Sequence, residues 1–439
     1  MIDALLAVPV MVKVLAALAL ILIVSRLTRH LIVAVVAATV VLGLWCGHDA
    51  ATFAAITWQR VFSLDNLMLV VIVLQVIWLS SQMAASGVME DLVTSVRNRV
   101  SQRTSMAVLP AVIGLLPMPG GALFSAPLVD SVDVDGSVPA RLKAQTNHWF
   151  RHVWEYWWPL YPGVLLAVDI TGLDIWQFTL LQLPLSIFAV ATGAWFLLRH
   201  IPKGHAEADP EVEQPTPSFI RLVLPIVVVI LCYAAIRGGH GVLSGFAGRE
   251  LPLNKYAPMA AGLLAAMATL QLQRPLGRGE WRKLLVQRRA FVMVAIVVAV
   301  RVYGAFIEAD LPGGTALVSQ MHAELTGWGV PLLPVLMVLP FLSGLSTGLS
   351  IGFVGASFPI VMALIGEDPS TGVYLSTIVL AYGFGYIGML ISPVHVCLVV
   401  TSEHFETHLL RNMMALVRPG GAMLVLVTGA YYLVRAVFP

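Results

Sequence analysis

Val108–Val129 reads VLPAVIGLLPMPGGALFSAPLV, and Val338–Val361 reads VLPFLSGLSTGLSIGFVGASFPIV. Both stretches open on Val-Leu-Pro, run through Gly and Ser, and close on Ser-x-Pro with an apolar pair. The offset is 230 at Pro110/Pro340 and 232 at Ser125/Ser357, so the second copy has gained two residues. Apolar segments this rich in Pro and Gly make poor continuous helices. Pro removes an amide donor, and Gly costs roughly 1 kcal/mol against Ala inside a helix. In lipid, broken backbone survives only where protein or a water-filled cavity satisfies its polar groups. Two such segments at matching positions of two halves point to the binding site of a secondary transporter.

The surrounding composition fits a membrane setting. The 439 residues are 58% hydrophobic and 11% charged, with mean hydropathy +0.86, whereas soluble domains carry about a quarter charged residues. The fold class expected is an all-α polytopic membrane protein of about ten transmembrane helices plus two re-entrant hairpins, in two inverted-topology repeats. The net charge of +2 averages two unlike faces, and no basic tract with interleaved aromatics suggests a nucleic-acid partner. Cys46, Cys232 and Cys397 lie far apart inside apolar runs and read as small hydrophobes, without a disulfide framework. The first apolar run lacks a basic lead and a small-x-small cleavage site, which reads as a retained span.

Taken in order, the first repeat covers 1–198: scaffold spans within 9–83, a surface amphipathic helix at 88–100, a hairpin at 104–128, a span broken by Pro159 and Pro162 at 148–168, and a span at 175–198. A polar stretch, Asp130–Asn147, separates hairpin from broken span. Residues 199–218 are a Pro- and acid-rich linker. The second repeat, 219–439, carries spans within 219–307, a short interfacial segment at 311–325, a hairpin at 331–365, a span broken near Pro393 at 372–400, and a last span at 409–437. At an offset of 225, Trp78 falls on Tyr303; at 234, Pro159 falls on Pro393, Tyr161 on His395, and Asp169 on Glu403.

Hairpins that enter and leave on one side give each half five crossings, an odd number, so the second half is inverted. Of the 26 Lys and Arg, 18 fall in the loops at 25–30, 84–103, 130–147, 199–221, 274–289 and 402–418, six fall on the other side, and Arg151 and Arg301 lie within spans. The positive-inside rule makes the basic side cytoplasmic and both termini periplasmic, in the inner membrane.

The hairpin tips, with Pro119, Gly120, Gly121 and Ser125 in the first and Ser346, Thr347, Gly348 and Ser350 in the second, offer free backbone groups and hydroxyls to a ligand. Their small residues also suit close helix packing. Asn147–Pro162, NHWFRHVWEYWWPLYP, gathers Arg151, His152 and Glu155 in an aromatic run, with Arg151 and Glu155 at i, i+4. Charges inside a span default to function, while clustered Trp and Tyr equally suit a membrane interface. His395, after Ser392-Pro393, lies deep in an apolar run. Arg151 and His395 are thus candidate substrate ligands, and Asn147, Glu155 and Ser392 candidate ion-coupling residues. Arg301 needs a partner or a cavity. His404 and His408 have metal-like spacing without a third ligand, so no metal is expected. No Walker-type Gly-Lys-Ser/Thr occurs, which argues against ATP.

This layout resembles the ion transporter superfamily, which includes citrate, gluconate and divalent-anion/sodium symporters. The strings PMPGGALFSAP, RHVWEYWWPLYPG and SPVHVCLVVTSEHF are similar to an integral-membrane branch of it. In the divalent-anion symporters, Ser-Asn-Thr triplets at both tips hold carboxylates and sodium; here the tips read Pro-Met-Pro-Gly-Gly and Leu-Ser-Thr-Gly. The function expected is elevator-type secondary transport of a small organic, carboxylate-like anion, coupled to H+ or Na+, with the bilayer and a second copy of the chain as partners and no cofactor besides that ion. A cation/proton antiporter using Glu155 with Asp169 or Glu403 is one rival. An intramembrane hydrolase pairing Ser357 with His395 is another.

Overall fold

The computed structural model describes residues 8–28, 30–88, 91, 95, 101–115, 121–133, 135–202, 219–366 and 368–438. The expected amphipathic helix at 88–100, most of the 199–218 linker, and Pro119 and Gly120 of the first tip lie outside them. The described chain is helical, and its only β pairing is one bridge between Asp310 and Ala316.

Four helices open the chain: α1 (Val10–Thr28), α2 (Leu31–Trp45), α3 (Ala50–Val61) and α4 (Leu64–Ala85). The first hairpin is α5 (Gln102–Gly114) and α6 (Ala122–Val132). The broken span is α7 (Ala140–Arg151) and α8 (Pro162–Thr171), followed by α9 (Ile175–Phe196). The order then recurs as α10 (Phe219–Ala247), α11 (Ala257–Gln273), α12 (Arg278–Leu285), α13 (Arg288–Glu308) and α14 (Leu317–Gly327). The second hairpin is α15 (Leu332–Thr347) and α16 (Ser350–Leu364), the second broken span α17 (Thr371–Leu390) and α18 (Val396–His404), and α19 (Leu409–Val437) closes the chain.

Local chemistry sets these boundaries. Ser63 accepts from the Asn66 amide at the start of α4, and Ser101 from Thr104 at the start of α5. Asp49 caps α3 by accepting from the Thr52 amide at 2.8 Å, and that bond holds its carboxyl below its usual range. Glu324 of α14 accepts the amides of Val10 and Met11 at 2.9 and 2.8 Å, placing a carboxylate on the positive end of α1. Pro162 sits in the first turn of α8, where its missing N–H costs nothing.

Among the described residues, seven helical segments are long and apolar enough to cross a membrane: Val10–Thr28, Leu64–Ala85, Ile175–His200, Arg221–Ala247, Arg278–Glu308, Thr371–Leu390 and Leu409–Val437. The apolar helices α2, α6, α8 and α16 are shorter. Apolar side chains such as Ile187, Leu231 and Leu433 face outward, as lipid-facing positions do.

Three boundaries differ from the sequence reading. The first broken span starts at Ala140, ahead of His148: Lys143 is neutralised by Asp130 (2.6 Å) and Asp133 (3.1 Å), and the polar helix is buried from Lys143 onward. Helix α10 runs past Ile236 to Ala247. Helix α3, with no buried residue, gave no apolar signal to read.

Packing is reciprocal between the two stretches of chain. Helix α2 packs on α13 as α11 packs on α4, and α3 on α13 as α12 on α4. Likewise α8 packs on α16 as α18 packs on α6, so each broken span reaches into the other stretch's hairpin. Six polar contacts join segments far apart in sequence: Asp65 with Asn254 (2.8 Å), Asp174 with Arg237 (2.6 Å), Glu308 with Arg60, Asp91 with Arg274, Arg103 on the Ile201 carbonyl (2.6 Å) and Arg141 on the Arg411 carbonyl (2.9 Å). Each contact joins segments that the charge bias assigned to one side.

Candidate functional site

The two breaks meet at the centre. Helix α7 ends at Arg151 and α17 at Leu390, and the chain between each and its continuation frees carbonyls that lipid cannot satisfy. Side chains take them up. Tyr386 donates to the His152 carbonyl (2.5 Å) and Tyr382 to that of Glu155 (2.8 Å). In return the first break caps the end of α5: Trp154 donates to Ala111 O (2.8 Å), Trp158 to Leu115 O (2.9 Å), and Tyr161 to Gly114 O. Most of the aromatic run therefore donates hydrogen bonds inside the protein, and the membrane-interface reading does not hold for the buried Trp149, Tyr156 or Trp158.

The second break treats its hairpin the same way. Ser392 Oγ donates to Leu345 O (2.6 Å), and His395 Nδ1 lies 2.7 Å from Gly348 O. Gly348 ends α15 at φ +63°, and a Cβ there would meet the His395 backbone nitrogen at 2.9 Å. Gly348→Leu is expected to add strain of about 1–3 kcal/mol and to push His395 off the tip. Uptake by the reconstituted variant would be lost while size-exclusion behaviour stays normal; full uptake would dissociate the tip from the site.

Between the two breaks, the second tip and α13 lies a cavity of about 660 Å³, lined by Arg151, His152, Glu155, Tyr161, Ser350 and His395 among others, with His30, Arg288 and Arg289 also on its wall. Arg151 is 2% exposed, and its guanidinium lies against the backbone of Gly121. Its Nη1 is 3.1 Å from Cys397 Sγ and 3.3 Å from His152 Nε2. Cys397 is thus a partner of the cation and more than packing. Glu155 Oε1 is 3.9 Å from His152 Nε2. Arg151 and Glu155 share the cavity but form no ion pair within 4.0 Å: α7 stops at Arg151, so their i, i+4 spacing no longer puts them on one helical face. His148, His152 and His395 cluster, with ligand-capable nitrogens within 4.8 Å of one another.

Of the residues singled out in the sequence, the structure brings Arg151, Glu155, Ser350 and His395 to the cavity and sets Gly121 and Gly348 behind it. Ser125 is buried away from it; Ser346 and Thr347 are half-buried at the tip, where Thr347 Oγ1 bonds Ser343 O (2.8 Å). Asn147 Nδ2 donates to Thr401 Oγ1 at 3.0 Å, tying α7 to α18, and neither it nor Ser392 lines the cavity. His148 was missed; the only signal was its i, i+4 spacing from His152. Arg301 finds its partner in Asp169 (2.5 Å), which Tyr256 also contacts. Glu403 is exposed, so neither acid faces the cavity. Ser357 Oγ donates to Phe353 O (2.6 Å) within its own helix and forms no pair with His395.

The chain belongs to the family described as "Protein of unknown function (DUF401)", whose model matches residues 11–434. No curated protein matches it. Among solved structures it is similar to the YdaH transporter of Alcanivorax borkumensis, whose crystal structure is described as revealing an unusual topology; the TM-score is 0.55 at 13% identity over 88% of this chain and 89% of that one. That likeness is one of fold, and with the apolar helices it makes this a multi-pass membrane protein of transporter architecture.

Proposed function

We propose that the protein is an elevator-type secondary transporter of the inner membrane, working as a homodimer and moving a small organic anion in symport with H+ or Na+. The observation that carries this reading is the cavity between the two broken spans, the second hairpin and α13, whose described wall sets Arg151, His395, Arg288 and Arg289 against a single carboxylate, Glu155. Such a site favours an anion, and its components come from both halves, as alternating access needs. The likeness to a transporter fold and to the ion transporter superfamily supports it. The repeats would be 1–198 and 219–439, with hairpins and broken spans moving against a scaffold of the first spans. The antiporter loses ground because Asp169 is bound to Arg301 and Tyr256.

The test is a thermal-shift screen of citrate, succinate, gluconate and lactate on the purified protein, followed by uptake in proteoliposomes. A ligand at 100 times its dissociation constant stabilises by roughly 2.7 kcal/mol. Stabilisation by cations alone, with no anion uptake, would reject the reading.

The topology is tested separately. Single cysteines at Gly204 and Gly313, placed in a cysteine-free background, are expected to differ: Gly313 reacts with an impermeant maleimide in intact cells and Gly204 only after lysis. The reverse pattern would turn the cavity's Arg288 wall to the outside.

A further inference from the structure

The three central histidines are positioned by main-chain carbonyls. His152 Nδ1 is 2.5 Å from His148 O, His395 Nδ1 is 2.7 Å from Gly348 O, and His148 Nε2 is 2.8 Å from Leu390 O. A carbonyl oxygen only accepts, so each of these nitrogens carries its ring's hydrogen. In the neutral rings the other nitrogens are then bare lone pairs. Two of them, His152 Nε2 and His395 Nε2, face each other at 3.0 Å, in side chains 1% and 5% exposed. Two lone pairs at hydrogen-bond distance repel; one added proton turns the contact into an N–H···N bond.

From this geometry we infer that His152 and His395 share one proton, and that this proton is the coupling ion of the transport proposed above, on which the coupling half of the inference rests. Arg151 Nη1 points at His152 Nε2 from 3.3 Å and needs a lone pair there, so the proton rests on His395 Nε2. The protonated His395 ring then bridges the second tip, through Gly348 O, to the first break, through His152. Loading adds one positive charge beside Arg151, and the anion compensates it. Release to the cavity water removes the bridge and leaves the two breaks repelling each other.

Ligand chemistry selects the proton over other cations. Sodium takes oxygen ligands, and these are nitrogens. Zinc with bonds of about 2.0–2.1 Å would hold tetrahedral ligand atoms about 3.3 Å apart, wider than the 3.0 Å seen, and the Arg151 guanidinium repels a dication. Among the described residues, the charged or titratable groups around the pair are His148 and Arg151 from α7, Glu155 and Tyr161 from the first break, Tyr386 from α17 and Cys397 from α18, with Arg288 and Arg289 of α13 and His30 ahead of α2 on the cavity wall.

The proton is read without any substrate. In ¹⁵N-histidine-labelled protein in nanodiscs, a downfield imidazole proton coupled to two ring nitrogens is expected to appear as the pH is lowered. It should vanish in His152→Gln and His395→Gln and persist in His148→Gln. No such resonance in the wild type at any pH overturns the shared proton, as does a stoichiometric metal whose removal by chelator changes the histidine spectrum. In proteoliposomes holding a pH dye, adding citrate, succinate, gluconate and lactate together should acidify the lumen, and His395→Gln should abolish the acidification. Anion influx without acidification overturns the coupling. A resonance with no anion influx leaves the proton bridge standing and overturns the anion-transport reading together with its coupling.

Discussion

Asp169→Asn is expected to cost about 3–5 kcal/mol of stability, the range for breaking one side of a buried ion pair. Asp169 Oδ2 lies 2.5 Å from Arg301 Nη1, with the two side chains 1% and 9% exposed. Its other oxygen receives the Tyr256 hydroxyl, and Lys255 Nζ approaches to 3.6 Å. The amide removes the charge that three groups converge on and leaves Arg301 buried without a counter-ion. With total stabilities near 5–15 kcal/mol, that loss should show as a large drop in melting temperature in detergent. The double variant Asp169→Leu/Arg301→Met should recover much of it, since apolar pairs of similar size often replace buried ion pairs without penalty. A double variant as unstable as Asp169→Asn would locate the cost in the hydroxyl of Tyr256 instead. The pair joins α8 to α13; if these belong to the moving unit and scaffold proposed above, Asp169→Asn should also change uptake in whatever protein folds.

What the sequence made legible was backbone chemistry. Pro and Gly pointed to helix interruptions near Arg151, Gly348 and Leu390, where described helices end, because a missing donor or Cβ acts locally whatever the fold. The offsets of 230 and 234 reappear in space: Gly114 packs against the Arg151 carbonyl as Gly344 packs against that of Gly385. What depended on distant partners was not legible. Lys143 made its segment look like a loop until Asp130 and Asp133 neutralised it. Arg301 gave no hint of Asp169, and the histidine pair spans 243 residues of sequence. Helices α3 and α12 lie outside the apolar code altogether, one with no buried residue and the other with only Leu284 buried.

Arg151→Gln is expected to weaken anion affinity roughly 10- to 100-fold, the equivalent of the 1.5–3 kcal/mol carried by a hydrogen bond to a charged group. The replacement keeps polarity and removes the charge. Arg151→Lys separates charge from geometry: a lysine restores the Coulomb attraction but not the planar fork that grips a carboxylate from two nitrogens. Partial recovery in Arg151→Lys would assign the loss to both. Structure alone predicts a different pattern. Arg151 is buried, braced by Cys397 and His152 and set against Gly121, so a purely packing role would lower the melting temperature and leave the affinity of the folded fraction unchanged. Glu155 supplies the control. It lies in the same cavity without pairing to Arg151, so Glu155→Gln removes the negative charge it carries when ionised and should tighten anion binding, most at alkaline pH. Opposite signs for Arg151→Gln and Glu155→Gln, measured as apparent affinity in proteoliposomes, would show that the cavity reads charge. Equal and unchanged affinities in both would remove the cavity from the anion's path.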